Sequence, residues 1–197
     1  MSEAPAVEVW RKFQNCSLCP LSQTRRNIVF GTGNPQAKIL IVTDPPTPSQ
    51  DKRGTHATQE MRWLVQLYKK VSKSRTKLET CAEQMLKRVF IVSATMCAPV
   101  NDEGRTRAPM YKEIKACAPR LQDTIYAVDP VIILCFGSHA RAAVFAKRTG
   151  LDTSADRLEY VDIPGKFGID VRYSVLLASA LGVAEDAGDY HYNNGKV

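Results

Sequence analysis

Residues 15–46 of the chain run NCSLCPLSQTRRNIVFGTGNPQAKILIVTDPP. Cys16 and Cys19 open the stretch as a Cys-x-x-Cys pair, a spacing that lets both sulfurs face one metal or cluster. A redox pair or a chance spacing is the plainer alternative. Arg25 and Arg26 follow, able to meet phosphate or simply to be solvated. Phe30-Gly31-Thr32-Gly33-Asn34-Pro35 is a Gly-rich turn. Residues 38–43 (KILIVT) are too continuously apolar and β-branched for a half-exposed strand, so they predict a strand buried on both faces of a parallel sheet. Pro45, Pro46 and Pro48 forbid its continuation. Asp44 therefore stands just beyond the carboxyl end of a core strand, where α/β folds gather ligand groups. A turn or helix N-cap is the plainer role for it.

Working outward, two more stretches carry the same signature. Residues 88–95 (RVFIVSAT) run up to Cys97, and residues 131–136 (VIILCF) end at Gly137-Ser138 before a helix that starts at His139. Between them the periodicity predicts helices over 5–14, 58–71, 78–86 and 110–128. Pro119 should kink or split the last of these. Residues 49–57 and 97–109 read as loops. Residues 157–163 and 169–177 flank Pro164-Gly165 as a hairpin whose second arm is expected to enter the sheet. The expected fold is a three-layer α/β sandwich on a central, mostly parallel four-stranded sheet. It forms one domain over residues 1–183, with a polar tail over 184–197.

The totals bound the function. A chain of 197 residues is long enough for its own core, and 44% hydrophobic content is ordinary for a globular protein. No apolar run approaches the roughly 20 residues a membrane helix needs. The first residues lack the basic and apolar regions of a signal peptide, so an intracellular, cytoplasmic protein is expected. A charge of +7, from 27 basic and 20 acidic residues, suits a polyanionic partner. Six cysteines in such a chain point to metal or buried thiols more than to disulfides. Cys135 lies mid-strand and reads as a buried thiol, and Cys81 reads as helical and non-ligating. The run from Lys69 to Lys77 reads as a solvated face or as a surface that tracks phosphates.

The order of these features resembles the family-four uracil-DNA glycosylases. That family carries a Cys-x-x-Cys, a VFGxGNPxA segment and a strand ending in GE(A/G)PG. Cys16, Cys19, Val29-Phe30-Gly31, Gly33-Asn34-Pro35 and Ala37 match, and Asp44 takes the acid position with Pro46 matching after it. Asp51, Gly54 and Leu64 match the acidic loop beyond. Cys97 with Pro99, Arg107-x-Pro109 and Glu113-Ile114-x-x-Cys117 resembles the segment that holds the family's third and fourth cysteines. The resemblance implies a 4Fe-4S cluster on Cys16, Cys19, Cys97 and Cys117. It also implies DNA, single- or double-stranded, as the partner of a monomeric protein, with replication or repair proteins as further partners.

The same alignment shows losses. Thr43 and Thr47 replace the glycines that flank the acid. The ring that stacks on flipped uracil falls on Ala57, the amide that reads its edge falls on Ser93, and the late histidine falls on Leu177. A base pocket of Gly31, Asp44, Pro46, His56, Ala57, Ser93 and Leu177 is implied, with Asp44 the candidate catalytic group. His56 could substitute as a stacker, although an exposed loop histidine is the plainer reading. Arg25, Arg26, Arg105 and Arg107 are candidate DNA contacts. Three functions compete: a DNA-binding iron–sulfur protein with weak or no uracil excision, an active glycosylase for uracil or another modified base, and a zinc protein unrelated to DNA.

Overall fold

The computed structural model describes residues 5–56, 61–145 and 159–163. In chain order they form α1 (Pro5–Phe13), the single turn α2 (Leu21–Thr24), β1 (Thr32–Gly33) and β2 (Ile39–Thr43). Next come α3 (Pro48–Arg53), α4 (Arg62–Val71), α5 (Leu78–Leu86) and β3 (Val89–Ser93). The last described elements are α6 (Tyr111–Val128), β4 (Ile132–Phe136), α7 (Ser138–Phe145) and β5 (Glu159–Ile163). The sheet order is β1-β3-β2-β4-β5, with β2, β3, β4 and β5 parallel and β1 antiparallel to β3.

The continuous apolar runs become strands because both faces of the sheet are covered. Ile39, Ile41, Val89, Ile91, Leu134 and Phe136 pack on one face with Leu64, Val65 and Tyr68 of α4 and Cys81 and Met85 of α5. Leu40, Val42, Phe90, Val92, Ile133 and Cys135 alternate onto the other, against Ile114, Leu121 and Ile125 of α6 and Ala140 and Val144 of α7. Each fully buried aliphatic side chain contributes about 1.5–3 kcal/mol. The layers are therefore helix, sheet, helix. Among the described residues no helix is long and apolar enough to cross a membrane.

Three expectations shift. Residues 48–53, expected as loop, are helical. Thr47 Oγ1 accepts from Gln50 N at 3.2 Å, Gln50 Oε1 accepts from Thr47 N at 3.0 Å, Pro48 sits at the start, and Gly54 ends the helix at φ 73°. This reciprocal cap satisfies two donors that a bare helix start leaves open. Pro119 does not split α6, which runs unbroken through it. Pro119 and Lys115, whose carbonyl loses its donor, both lie on the exposed side where water can serve the freed group. The Gly-rich turn supplies the short edge strand β1. Residues 159–163, the first arm of the expected hairpin, form β5 and pair parallel with β4, and the second arm, residues 169–177, lies outside the described residues.

Candidate functional site

The carboxyl ends of β2, β3 and β4 lie side by side, because Thr43 is register partner to both Ser93 and Phe136. Asp44 extends this row: its N–H donates to Phe136 O at 3.1 Å. Its Oδ1 accepts from the backbone N–H groups of His139 and Ala140, each at 3.1 Å. The acid of β2 thus sits on the N-terminus of α7, where unpaired amides and the helix dipole favour an anion. His139 Nδ1 lies 3.5 Å from the same oxygen. Gly137, at φ +106°, makes the approach possible, since a Cβ there would fall 2.3 Å from Asp44 Cγ.

Beside Asp44 runs a short chain of polar groups. Thr43 Oγ1 and Ser93 Oγ are 3.1 Å apart, and Ser93 Oγ lies 3.5 Å from His56 Nε2. Ser93 is 2% exposed and His56 is 3% exposed. The exposed-loop reading of His56 is therefore corrected: the turn after α3 folds the imidazole inward over the end of β3. Pro46 is buried at the same strand end. Gly31 has a packing reason for being glycine, because a Cβ would lie 2.2 Å from Cζ of Phe90. Ala57 and Leu177 lie outside the described residues.

The second centre is a cavity lined by Cys16, Cys19, Cys97 and Cys117, together with Leu21 and Arg25. The turn between α1 and α2 supplies the first pair, the segment after β3 supplies Cys97, and α6 supplies Cys117. All four are free thiols. Burial pushes the Cys97 thiol up to about 11, against the hydrogen bond and charge of Arg25, with Cys117 and Cys19 raising it further. Burial also raises Cys19, where Cys117 and Cys16 are the neighbouring sulfurs. Arg25 Nη1 donates to Cys97 Sγ at 3.6 Å and Arg120 Nη2 to Cys117 Sγ at 3.7 Å. Among the described residues no three His, Cys, Asp or Glu side chains converge closely enough to hold a single metal ion.

The four candidate DNA arginines separate by environment. Arg25 turns toward Cys97, as above. Every nitrogen of the Arg107 guanidinium donates within the chain: Nε to Val100 O, Nη1 to Ala108 O and Glu113 Oε2, and Nη2 to Glu113 Oε1 at 2.6 Å. Arg107 thereby pins the segment between β3 and α6. Arg105 is 79% exposed and pairs with Glu103 at 3.0 Å, and Arg26 is exposed. The sequence marked Gly137-Ser138 before the helix at His139 only as a turn and Thr43 only as a lost glycine, and gave no sign of Arg120. Gly137 directly after a core strand was the available signal; the others depend on pairing across distant segments.

Residues 30–181 match the family model described as the uracil DNA glycosylase superfamily, a span that begins after Cys16 and Cys19. A type-4 uracil-DNA glycosylase of Sulfurisphaera tokodaii is 33% identical over 134 residues, 68% of this chain and 54% of that protein. The type-4 uracil-DNA glycosylase of Archaeoglobus fulgidus is 27% identical over 140 residues, 70% of this chain and 62% of that protein. That of Saccharolobus solfataricus is 30% identical over 135 residues, 68% of this chain and 56% of its own length. The match thus spans little more than half the length of these relatives. With its parallel sheet, its acid at the strand end and matches of this kind, the chain belongs to the uracil-DNA glycosylase superfamily, in its family-four branch.

Proposed function

We propose that this protein binds DNA through a glycosylase fold braced by a 4Fe-4S cluster, acts in DNA repair or replication, and excises uracil weakly or not at all. One observation carries the reading. Ser93 stands where the family's amide reads the uracil edge, and its hydroxyl already faces Thr43 and His56. A hydroxyl carries its one donor and its acceptor lone pairs on a single atom, whereas an amide presents a donor nitrogen and an acceptor oxygen side by side, as a base edge requires. Asp44 retains the place of the catalytic acid, able to orient water or stabilise positive charge at the sugar. An enzyme acting on a base must also hold the extruded base and favour its departure, and Ala57 and Leu177 supply neither ring nor imidazole for that.

The residues fit a cluster. Four cysteines surround one cavity, and two arginines donate to two of their sulfurs. Thiolate ligands in this number suit an iron–sulfur cluster. When bound, it would supply an anionic, redox-capable clasp joining the α1–α2 turn, the segment after β3, and α6. Cys81 and Cys135 are buried elsewhere. The +7 charge suits DNA, with Arg26, Arg105 and the basic run from Lys69 to Lys77 as candidate phosphate contacts. Arg25 and Arg107 act there only by shaping the surface.

A second reading has its own support. Burial of His56 beside Ser93 puts a ring and a hydrogen-bonding nitrogen at the pocket, which favours an active glycosylase for uracil or another modified base. The test combines iron content with product analysis. Wild type is expected to retain iron, Cys97→Ser and Cys117→Ser to lose it, and Cys81→Ser to keep it. Wild type is also expected to bind a uracil-bearing oligonucleotide while leaving it intact to alkaline cleavage. Full iron retention in Cys97→Ser or Cys117→Ser would overturn the cluster assignment. Cleavage of a strand bearing hypoxanthine or a modified pyrimidine would establish the second reading.

A further inference from the structure

Arg120 is an unusual residue to find inside this protein. It is 4% exposed, one turn beyond Cys117 on the buried side of α6. Its Nη2 donates to Ser93 O at 2.6 Å and lies 3.4 Å from Ala94 O and 3.7 Å from Cys117 Sγ. Its Nε has no acceptor. Among the described residues no carboxylate pairs with it: Glu113, two turns earlier on α6, is already held by Arg107 and the Met110 N–H. A buried guanidinium keeps its charge, and a buried charge without a counter-ion is strongly unfavourable. Among the described residues, the nearby groups that become anionic on binding metal are the cysteine sulfurs, with Cys117 Sγ 3.7 Å from Arg120 Nη2.

We propose that Arg120 is the buried counter-cation of the cluster and the strut tying it to the strand end that carries Ser93. The inference rests on the cluster reading above and deepens it. A cluster on four thiolates is an anion and gains a further negative charge on reduction. A cation beside Cys117 stabilises the bound cluster, and stabilises its reduced form most. The same nitrogen fixes the carbonyl of Ser93, so loading the cluster sets the position of the residue that faces His56. Arg120 is in this sense a positioning residue for the pocket, acting through β3.

The experiment compares wild type, Arg120→Met, Arg120→Lys and the surface control Arg105→Met. It reads iron content, the reduction potential of the cluster, and Tm before and after chelation of iron. In Arg120→Met the potential should fall by the equivalent of about a tenfold change in the reduction equilibrium, about 59 mV for one electron. The gap in Tm between loaded and stripped protein should also shrink, because the stripped variant no longer buries an uncompensated cation. Arg120→Lys, which keeps the charge, should retain iron with a potential close to wild type, and Arg105→Met should match wild type. A wild type that holds no iron would overturn the cluster reading and this inference with it. An iron-loaded wild type whose potential and Tm gap are unchanged in Arg120→Met would overturn this inference alone. So would an Arg120→Lys protein that loses iron or falls in potential as far as Arg120→Met.

Discussion

Gly137 stands against Asp44 so closely that a single added methyl would overlap the carboxylate, 2.3 Å from Cγ and Oδ1. The two residues are 93 apart in sequence, yet each fixes the other. Asp44 anchors the N-terminus of α7, and Gly137, at φ +106°, opens the space in which its carboxylate sits.

Gly137→Ala should therefore act twice. The backbone conformation disfavours a Cβ by about 1–3 kcal/mol, and the clash must push the Asp44 carboxylate off the α7 amides. Urea unfolding should show a loss in that range or above. Asp44→Asn keeps shape and acceptor, so it should cost less stability than Gly137→Ala. Equal losses in the two variants would mean that the contact does not hold the strand end.

The Arg107–Glu113 pair predicts a pH dependence. Burial alone would raise the Glu113 carboxyl, but the hydrogen bonds from Arg107 and Met110 N–H and the Arg107 charge outweigh it, leaving the value below the ordinary 4.5. A carboxyl depressed on folding contributes stability that is present above its unfolded value and lost as pH falls through the folded one. This part of the stability should fade as pH falls below the ordinary carboxyl range. Glu113→Gln should be less stable at pH 7, by up to the ~3–5 kcal/mol typical of a broken buried pair and less if water reaches the half-exposed arginine. Its stability should also vary less with pH in the acid range. Parallel acid limbs for the two proteins would contradict this.

Environment, not charge count, should decide which arginines matter for DNA. Binding should weaken linearly in log–log form with salt, and each lost phosphate contact should reduce the slope by about 0.9 on duplex or 0.7 on a single strand. Arg26→Ala and Arg105→Ala should lower the slope. Arg107→Met should mainly destabilise the protein, since its guanidinium is committed internally. Fluorescence titration at several salt concentrations checks both statements, and absence of binding at low salt would remove the role assigned to the basic charge.

The core of the fold was legible because a parallel strand buried on both faces leaves an unbroken apolar run, as in residues 38–43 and 131–136. Helix α3 was missed because Pro48, Ser49 and Gly54 resemble loop composition, although Thr47 and Gln50 had the spacing of a reciprocal cap. Pro119 misled in the other direction, since its position on the exposed side of α6 could not be read from one residue. The site was harder to read than the fold. Burial of His56 depends on Ser93, 37 residues away and on another strand. The internal use of Arg107 depends on the route of the segment between β3 and α6. The order of the cysteines was visible, but Arg120 between them and Ser93 was not, because nothing local distinguishes a buried arginine from an exposed one on a helix with nearby lysines.

If the uracil pocket is degenerate while its acid survives, excision should be slow in wild type and recoverable by restoring the lost groups. The most direct measurement is single-turnover release of uracil from a single strand by wild type and by the triple variant Ala57→Phe, Ser93→Asn, Leu177→His. Wild type should be slow or silent. The triple variant should gain excision well beyond any single change, because these groups act on one transition state and their effects are not additive. Robust excision by wild type that Asp44→Asn abolishes would contradict the account and establish a working uracil-DNA glycosylase.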